Sequence, residues 1–310
     1  MNINNIHIIV NPVAGSGKGR NIPSLLLDRM GPQTGSLIKL SYTTKKNEAT
    51  GIARRAIRMG ADLIIAVGGD GTINEVVNGF FVGKASINPC CRLGVINCGT
   101  GSGYAKTLNL PHSPEDQIKL ILSPDFKELD LGCISFRDNG NESCRLFVNE
   151  CQAGIGSKVA AKTGKTLKLL GGTLAFGMMA AIEAVLFRPV NLNIQYDHEN
   201  ASRFKLIGLV IGNGVECAGG MKLTPDAKLN DGYFDVLSIH AMNVFSRLLN
   251  FPKVYTGQHI QCVNFSIRKC KSLKIRSDED ITLEADGEIL GSPPYNLEIM
   301  PSAIRVKMPF

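Results

Sequence analysis

Residues 66–79 read AVGGDGTINEVVNG. A run of small apolar residues ends abruptly in Gly68-Gly69-Asp70-Gly71-Thr72, and an amphipathic stretch follows at once. The same pattern stands on either side of it. HIIVN (7–11) leads into PVAGSGKG and then NIPSLLLDRM, while RLGVIN (92–97) leads into CGTGSG and then YAKTLNL. Short continuous apolar runs that alternate with helical periods read as strands of a parallel sheet covered on both faces. Loops at the carboxyl ends of such strands line the ligand crevice, so the three glycine clusters are expected on one edge.

Thr72 and Glu75 have the spacing of a capping box, in which each side chain covers an orphan amide at the helix start. That spacing leaves Asp70 and the glycines unexplained. Amides at a helix N-terminus form an anion site, and glycine lets phosphate oxygens approach the main chain. An acid in such a loop repels phosphate unless it holds a cation, and Mg²⁺ with a nucleotide meets that condition. The Asp70 side chain is therefore expected to face ligand rather than packing. Gly15-Ser16-Gly17-Lys18-Gly19 lacks the earlier glycine and the Ser/Thr after lysine that a P-loop needs, and no stretch fits G-x-G-x-x-G.

The second half has a different period. VNLNIQYD (190–197), VNFSIR (263–268) and LKIRS (273–277) alternate strictly, and FKLIGLVIGNG, YFDVLSIH, ITLEADGEIL and IRVKM add strand-like runs. Many strands separated by Gly, Asn, Asp and Pro clusters point to a mostly antiparallel, sandwich-like domain. The boundary is expected near HSPEDQIKLILSPDFKE (112–128), giving domains of 1–124 and 125–310. The last stretch, about 20 residues, is left free to return to the first domain.

Apolar content of 44% and charged content of 20% describe a globular chain rather than a disordered or fibrous one. The nine cysteines include no Cys-x-x-Cys pair, which argues against a zinc site or disulfide framework and for the cytoplasm. With no Trp and no aromatic cluster among Lys/Arg, nucleic acid is not expected as a partner. LLGGTLAFGMMAAIEAVLF (169–187) is almost long enough to span a bilayer, but Glu183 and three glycines argue against it. A helix buried in the protein or lying on lipid is expected there. The net charge of +7 suits an anionic lipid or nucleotide without deciding between them.

NPVAGSGKG, GGDGTINEVVNG and CGTGSGYAKTLNLP, in this order and spacing, resemble the diacylglycerol kinase catalytic-domain family, which includes bacterial soluble lipid kinases and sphingosine kinases. The resemblance continues through FVNECQAGIGSKV, LKLLGGTLAF, GGMKLTPDAKLNDGYFDV and LEADGE to IMPSAIRVKMP, and so covers nearly the whole chain. It implies a Rossmann-like α/β domain of the phosphofructokinase and NAD kinase type, followed by an antiparallel β-sandwich. It also implies an ATP-dependent, Mg²⁺-requiring lipid kinase, cytoplasmic and peripheral to the membrane, and compatible with a homodimer.

The resemblance carries roles onto particular residues. Asn11, Pro12, Val13, Ala14 and Gly15 contact ATP, as does Thr43. Gly68, Gly69, Asp70, Gly71, Thr72, Ile73, Asn74 and Glu75 hold the phosphates, and Thr100 contributes from the third loop. A structural Mg²⁺ is implied at the Asp231 carboxylate with the carbonyls of Lys228 and Tyr233, and Glu288 is the implied proton acceptor, with Asp70 beside the transferring phosphate. Many members read Gly-Thr-x-Asn-Asp-Phe-Ala in the third loop, where this chain has Ser102, Gly103 and Tyr104. The acceptor is left open among diacylglycerol, phosphatidylglycerol and sphingoid-type lipids. An NAD kinase-like activity on a soluble acceptor and a catalytically silent lipid-binding protein are the rival readings.

Overall fold

The computed structural model describes residues 4–34, 37–99, 102–138, 140–166, 172–217 and 220–309. They form two compact units, one running through Leu129 and taking in Ser302–Phe310, the other Asp130–Pro301.

The first unit contains β1 (Asn5–Val10), α1 (Ile22–Thr34), β2 (Leu37–Tyr42), α2 (Glu48–Arg58), β3 (Leu63–Gly68) and α3 (Asp70–Gly79). A short hairpin of β4 (Phe81–Val82) and β5 (Ala85–Ser86) follows, then β6 (Arg92–Asn97), α4 (Gly103–Thr107) and α5 (Pro114–Leu122). The strands lie in the order β2-β1-β3-β6, all parallel, with Ile8 opposite Ile65 and Ile65 opposite Gly94. Arg305 and Val306, from the end of the chain, pair in parallel with Arg92 and Leu93 at the β6 edge. All of β3 is buried, which is why it reads as an unbroken apolar run. Ile6, Ile8, Ile65 and Val67 pack with Leu26 and Met30 of α1 and with Ile118 and Ile121 of α5. Alternate residues Ile9, Ile64 and Ala66 are buried as well, so the sheet is covered on both faces.

The expected capping box does not form. The helix α3 already begins at Asp70, with Gly69 as its N-cap, so Thr72 lies inside the first turn. Thr72 Oγ1 instead accepts the Asn11 side-chain amide at 3.0 Å. The Glu75 carboxylate turns to the neighbouring helix, accepting the amides of Asn47 (2.9 Å) and Ala49 (3.1 Å) at the start of α2. A carboxylate there satisfies orphan amides and matches the helix dipole, so the local spacing is used for a tertiary cap.

The second unit holds most of β7 (Lys127–Asp138), then β8 (Asn141–Phe147), β9 (Glu150–Gly154), α6 (Ile155–Thr166), α7 (Gly172–Leu186), β10 (Val190–Tyr196), β11 (Ser202–Gly212) and β12 (Phe234–His240). After α8 (Val244–Asn250) and α9 (Lys253–Thr256) come β13 (Phe265–Cys270), β14 (Ser272–Arg276), β15 (Leu283–Ala285), β16 (Glu288–Ile289) and β17 (Ser292–Val306). Antiparallel pairs join these strands: β11 lies against β9, β10 and β12, β10 against β14, and β15 against β9 and β16. Leu209, Ile211, Phe147, Phe234, Ile194 and Tyr295 fill this β-sandwich core, with Phe147 and Phe234 stacked at 5.6 Å between centroids. The apolar segment 169–187 is helical from Gly172 to Leu186, and residues 167–171 lie outside the described residues. The buried Glu183 carboxylate is paired with Lys162 of α6. Among the described residues no helix is long and apolar enough to cross a membrane.

Candidate active site

In the first unit the glycine clusters follow β1, β3 and β6 and share the sheet's carboxyl edge, with Thr43 immediately after β2. Backbone bonds lace the loops together: the Asn11 amide donates to Val67 O (2.9 Å), that of Thr43 to Val10 O (2.9 Å), and that of Cys98 to Gly68 O (2.8 Å). Several glycines are there for this contact. A Cβ on Gly99 would stand 2.6 Å from the Gly69 Cα, and one on Gly15 (φ +57°) 2.0 Å from Cys98 O. Gly71 differs, since nothing lies within 4 Å of the place its Cβ would take. That open space adjoins the first turn of α3, whose leading amides have no acceptor within the helix.

Pro12, Val13 and Ala14 continue from Asn11, whose Oδ1 accepts the Val13 amide at 3.2 Å. The side chains of Ile73 and Asn74 are buried and that of Glu75 is committed to α2, so these residues can offer a nucleotide only main-chain contacts. Thr100 lies outside the described residues.

Asp70 was expected to face ligand. Its half-buried carboxylate instead accepts the amides of Gly103 (2.9 Å) and Tyr104 (3.3 Å), strapping the second glycine loop to the start of α4. Burial pushes its pKa up, against the pull of those two amides and of Lys106. An ionised carboxylate has roughly four lone-pair sites, so two amides leave acceptor capacity for a cation bridging to phosphate.

In the second unit, Glu288 opens β16 after a tight turn in which Asp286 (φ +46°) and Gly287 (φ +88°) are both left-handed. Asp-Gly with two positive φ angles is the turn that matches the twist of a two-residue hairpin. Two neighbouring acids hold this turn. The Asp286 carboxylate accepts the amides of Val148 (2.6 Å), Asn149 (3.1 Å) and Glu150 (3.1 Å), and the Glu284 carboxylate accepts that of Gly287. Three acids in LEADGE were the available signal; the amides that meet Asp286 come from a distant segment of the chain.

The expected Mg²⁺ ligands Lys228, Asp231 and Tyr233 occupy one loop, and the Asp231 carboxylate there already meets a cation. One Asp231 oxygen accepts the Lys269 ammonium at 2.9 Å and the other the Tyr233 amide at 3.1 Å. Lys269 also bonds Asp235 at 2.7 Å, and Asp130 accepts the Gly232 amide at 2.7 Å. Among the described residues no group of three or more His, Cys, Asp or Glu is arranged to hold a metal. The Lys269 ammonium competes with a metal ion for the Asp231 carboxylate. Without nucleotide, Mg²⁺ is therefore expected to leave the wild-type melting temperature unchanged, and Lys269→Ala to gain a Mg²⁺-dependent rise by mass action. A rise in wild type that disappears in Asp231→Ala would put the metal at this loop.

Residues 5–134 match the family described as the diacylglycerol kinase catalytic domain, and residues 149–308 the YegS C-terminal NAD kinase beta sandwich-like domain. The chain belongs to the diacylglycerol kinase family. It is 31% identical over 305 residues to a diacylglycerol kinase of Staphylococcus haemolyticus, covering 97% of this chain and 87% of that relative. A crystal structure of a diacylglycerol kinase from Bacillus anthracis overlays with a TM-score of 0.72 at 20% identity, covering 99% of this chain and 97% of its own. Yeast NADH kinase complexed with NADH overlays at 0.57 with 12% identity, covering 99% of this chain and 83% of its own, which is a likeness of fold alone. The α/β domain followed by an antiparallel sandwich is thus the fold of a kinase of this family.

Proposed function

We propose that this kinase transfers the γ-phosphoryl group of ATP to a primary hydroxyl of a lipid. The observation that carries the lipid class is an apolar cavity, open to solvent, within the second unit. Ile155 and Val159 of α6, Ala180 and Ala184 of α7, and Phe251 and Phe265 line it, with few polar groups among them. A concave, mostly apolar site suits an acyl or alkyl chain rather than a dinucleotide.

The outer faces of the same helices support work at a membrane surface. Met178, Ile182 and Leu186 of α7 and Phe245 and Leu249 of α8 are exposed. Arg247 ties the two helices together, donating to Phe187 O at 2.7 Å and Ala184 O at 3.3 Å. Helices with apolar groups toward both the protein and solvent are suited to lie in a lipid interface.

For the chemistry, the amides at the start of α3 beside Gly71 would receive the phosphates, and positioning matters more than covalent catalysis. Mg²⁺ carried with the nucleotide and held through Asp70 would neutralise charge on the phosphates. Glu288 would accept the hydroxyl proton as the acceptor oxygen bonds to the γ-phosphorus and the bond to ADP breaks.

Labelled ATP with mixed micelles of diacylglycerol, phosphatidylglycerol, ceramide and sphingoid bases, with NAD as a soluble control, tests this reading. Label on one lipid is the expected result. Label on NAD alone would favour the soluble-acceptor rival. ATP binding with no label on any acceptor would leave a regulatory lipid binder.

A further inference from the structure

Glu284 on β15 lies opposite Gln152 on β9, and the Asp286 amide, donating to Glu150 O at 3.1 Å, carries the register one step further. Residues two apart on a strand share a face, so Glu150, Gln152 and Glu284 emerge together. Their neighbours Cys151, Leu283 and Ala285 use the other face for the sandwich core. Both glutamates are buried, Glu150 at 8% exposure and Glu284 at 4%. Glu150 is hydrogen-bonded to the side chains of Gln152 and Cys217, and Glu284 to the Gly287 amide inside the turn.

Among the described residues neither glutamate is in an ion pair with a lysine or arginine. The helix α6 packs on β9, β15 and β16, but its Lys158 is exposed and its Lys162 is paired with Glu183. Among the described residues the other titratable groups acting on the pair are Cys151, Cys217, Asp286 and Glu288, and every one of them is an acid. Two buried carboxyls without a cation cannot both ionise at ordinary cost.

We propose that Glu150 and Glu284 are positioning residues: held as a proton-bearing pair, they fix the Asp286–Gly287 turn and so set where Glu288 points. This rests on the reading of Glu288 as the proton acceptor. It needs no further reactant, since the protons are those the pair retains when the chain folds. Ionisation of the pair would place negative charge beside Asp286 and Glu288, loosening the turn.

The titration has a definite sign. Burial, with the charges of Asp286 and Glu288 adding to it, pushes Glu284 up to about 8. Burial, with Glu284 and Asp286 adding to it, pushes Glu150 well above the usual carboxylate range. An acid raised in the folded state contributes stability that is fully present below its unfolded pKa and is lost as pH rises through the folded one. For Glu284 that window runs from 4.5 to about 8.

Melting temperatures of wild type, Glu150→Gln and Glu284→Gln are to be compared between about pH 5 and 9. Wild type is expected to lose stability across the window, and each variant to lose less. Turnover supplies the second readout. Glu284→Ala is expected to lower kcat about tenfold or more with the KM for ATP little changed, because a base displaced by a fraction of an ångström loses alignment. Glu284→Gln, a neutral acceptor for the Gly287 amide, should recover most of that loss and move the alkaline limb of kcat to higher pH. Parallel melting profiles in all three proteins would overturn the proton-holding pair, and a wild-type kcat in Glu284→Ala would overturn the positioning role. The melting profiles need no turnover, so they separate failure of the pair from failure of Glu288 as the base.

Discussion

Glu288→Gln is expected to cut turnover by about 10²–10⁴-fold while leaving nucleotide affinity within a few-fold of wild type. The substitution keeps the shape of the side chain and removes its basicity. Glu288 begins β16 directly after a turn whose backbone is fixed from two sides, by Asp286 on three amides and by Glu284 on a fourth. A base on so constrained a segment keeps its orientation when the side chain is changed, so the loss should be in the chemical step. Calorimetric titration with nucleotide, followed by turnover with the best lipid of the panel, separates binding from catalysis. Turnover within a few-fold of wild type would remove Glu288 from the mechanism. Asp286 would then be a poor substitute, because a carboxylate engaged by three amides is a weakened base.

The strands that carry the glycine loops were legible because of where they lie. Runs such as LIIAVG are buried on both faces, and nothing but an apolar side chain suits any position in them. The edge strand β2 was missed for the opposite reason, since Leu37, Leu40 and Tyr42 are exposed and the strand shows no buried face to give a period. In α2 the apolar stripe is made mostly of alanines, Ala49, Ala53 and Ala56, interrupted by Gly51 and three arginines. Partners were harder to read than faces. Thr72 and Glu75 have a spacing that predicts a local cap, yet each finds its partner in another loop. Asp231 stands in a loop that resembles a metal site, and only the folded chain brings Lys269 to it from β13. A sequence pattern records which side of an element is polar, and tertiary structure decides what the polar group meets.

Asp70 tests that distinction most directly, because its side chain serves two ends. Asp70→Ala removes the acceptor for the Gly103 and Tyr104 amides, and leaving such groups unsatisfied costs about 1–3 kcal/mol. The first turn of α4 should loosen, so this variant is expected both to unfold more easily and to lose phosphoryl transfer. Asp70→Asn separates the two losses. Its carbonyl oxygen can still accept one amide, while its own NH₂ group opposes the other, so half of the strap survives. What it lacks is the charge to hold a cation against the phosphates, and an electrostatic contact of that kind is typically worth about 10²–10³-fold in rate. Denaturant unfolding and turnover measured on one preparation give the answer. A midpoint between those of wild type and Asp70→Ala, with at least hundredfold slower turnover, is the expected result in Asp70→Asn. Wild-type turnover in that variant would make Asp70 a strap between two loops and nothing more, and the search for the cation's ligand would move to the phosphates themselves.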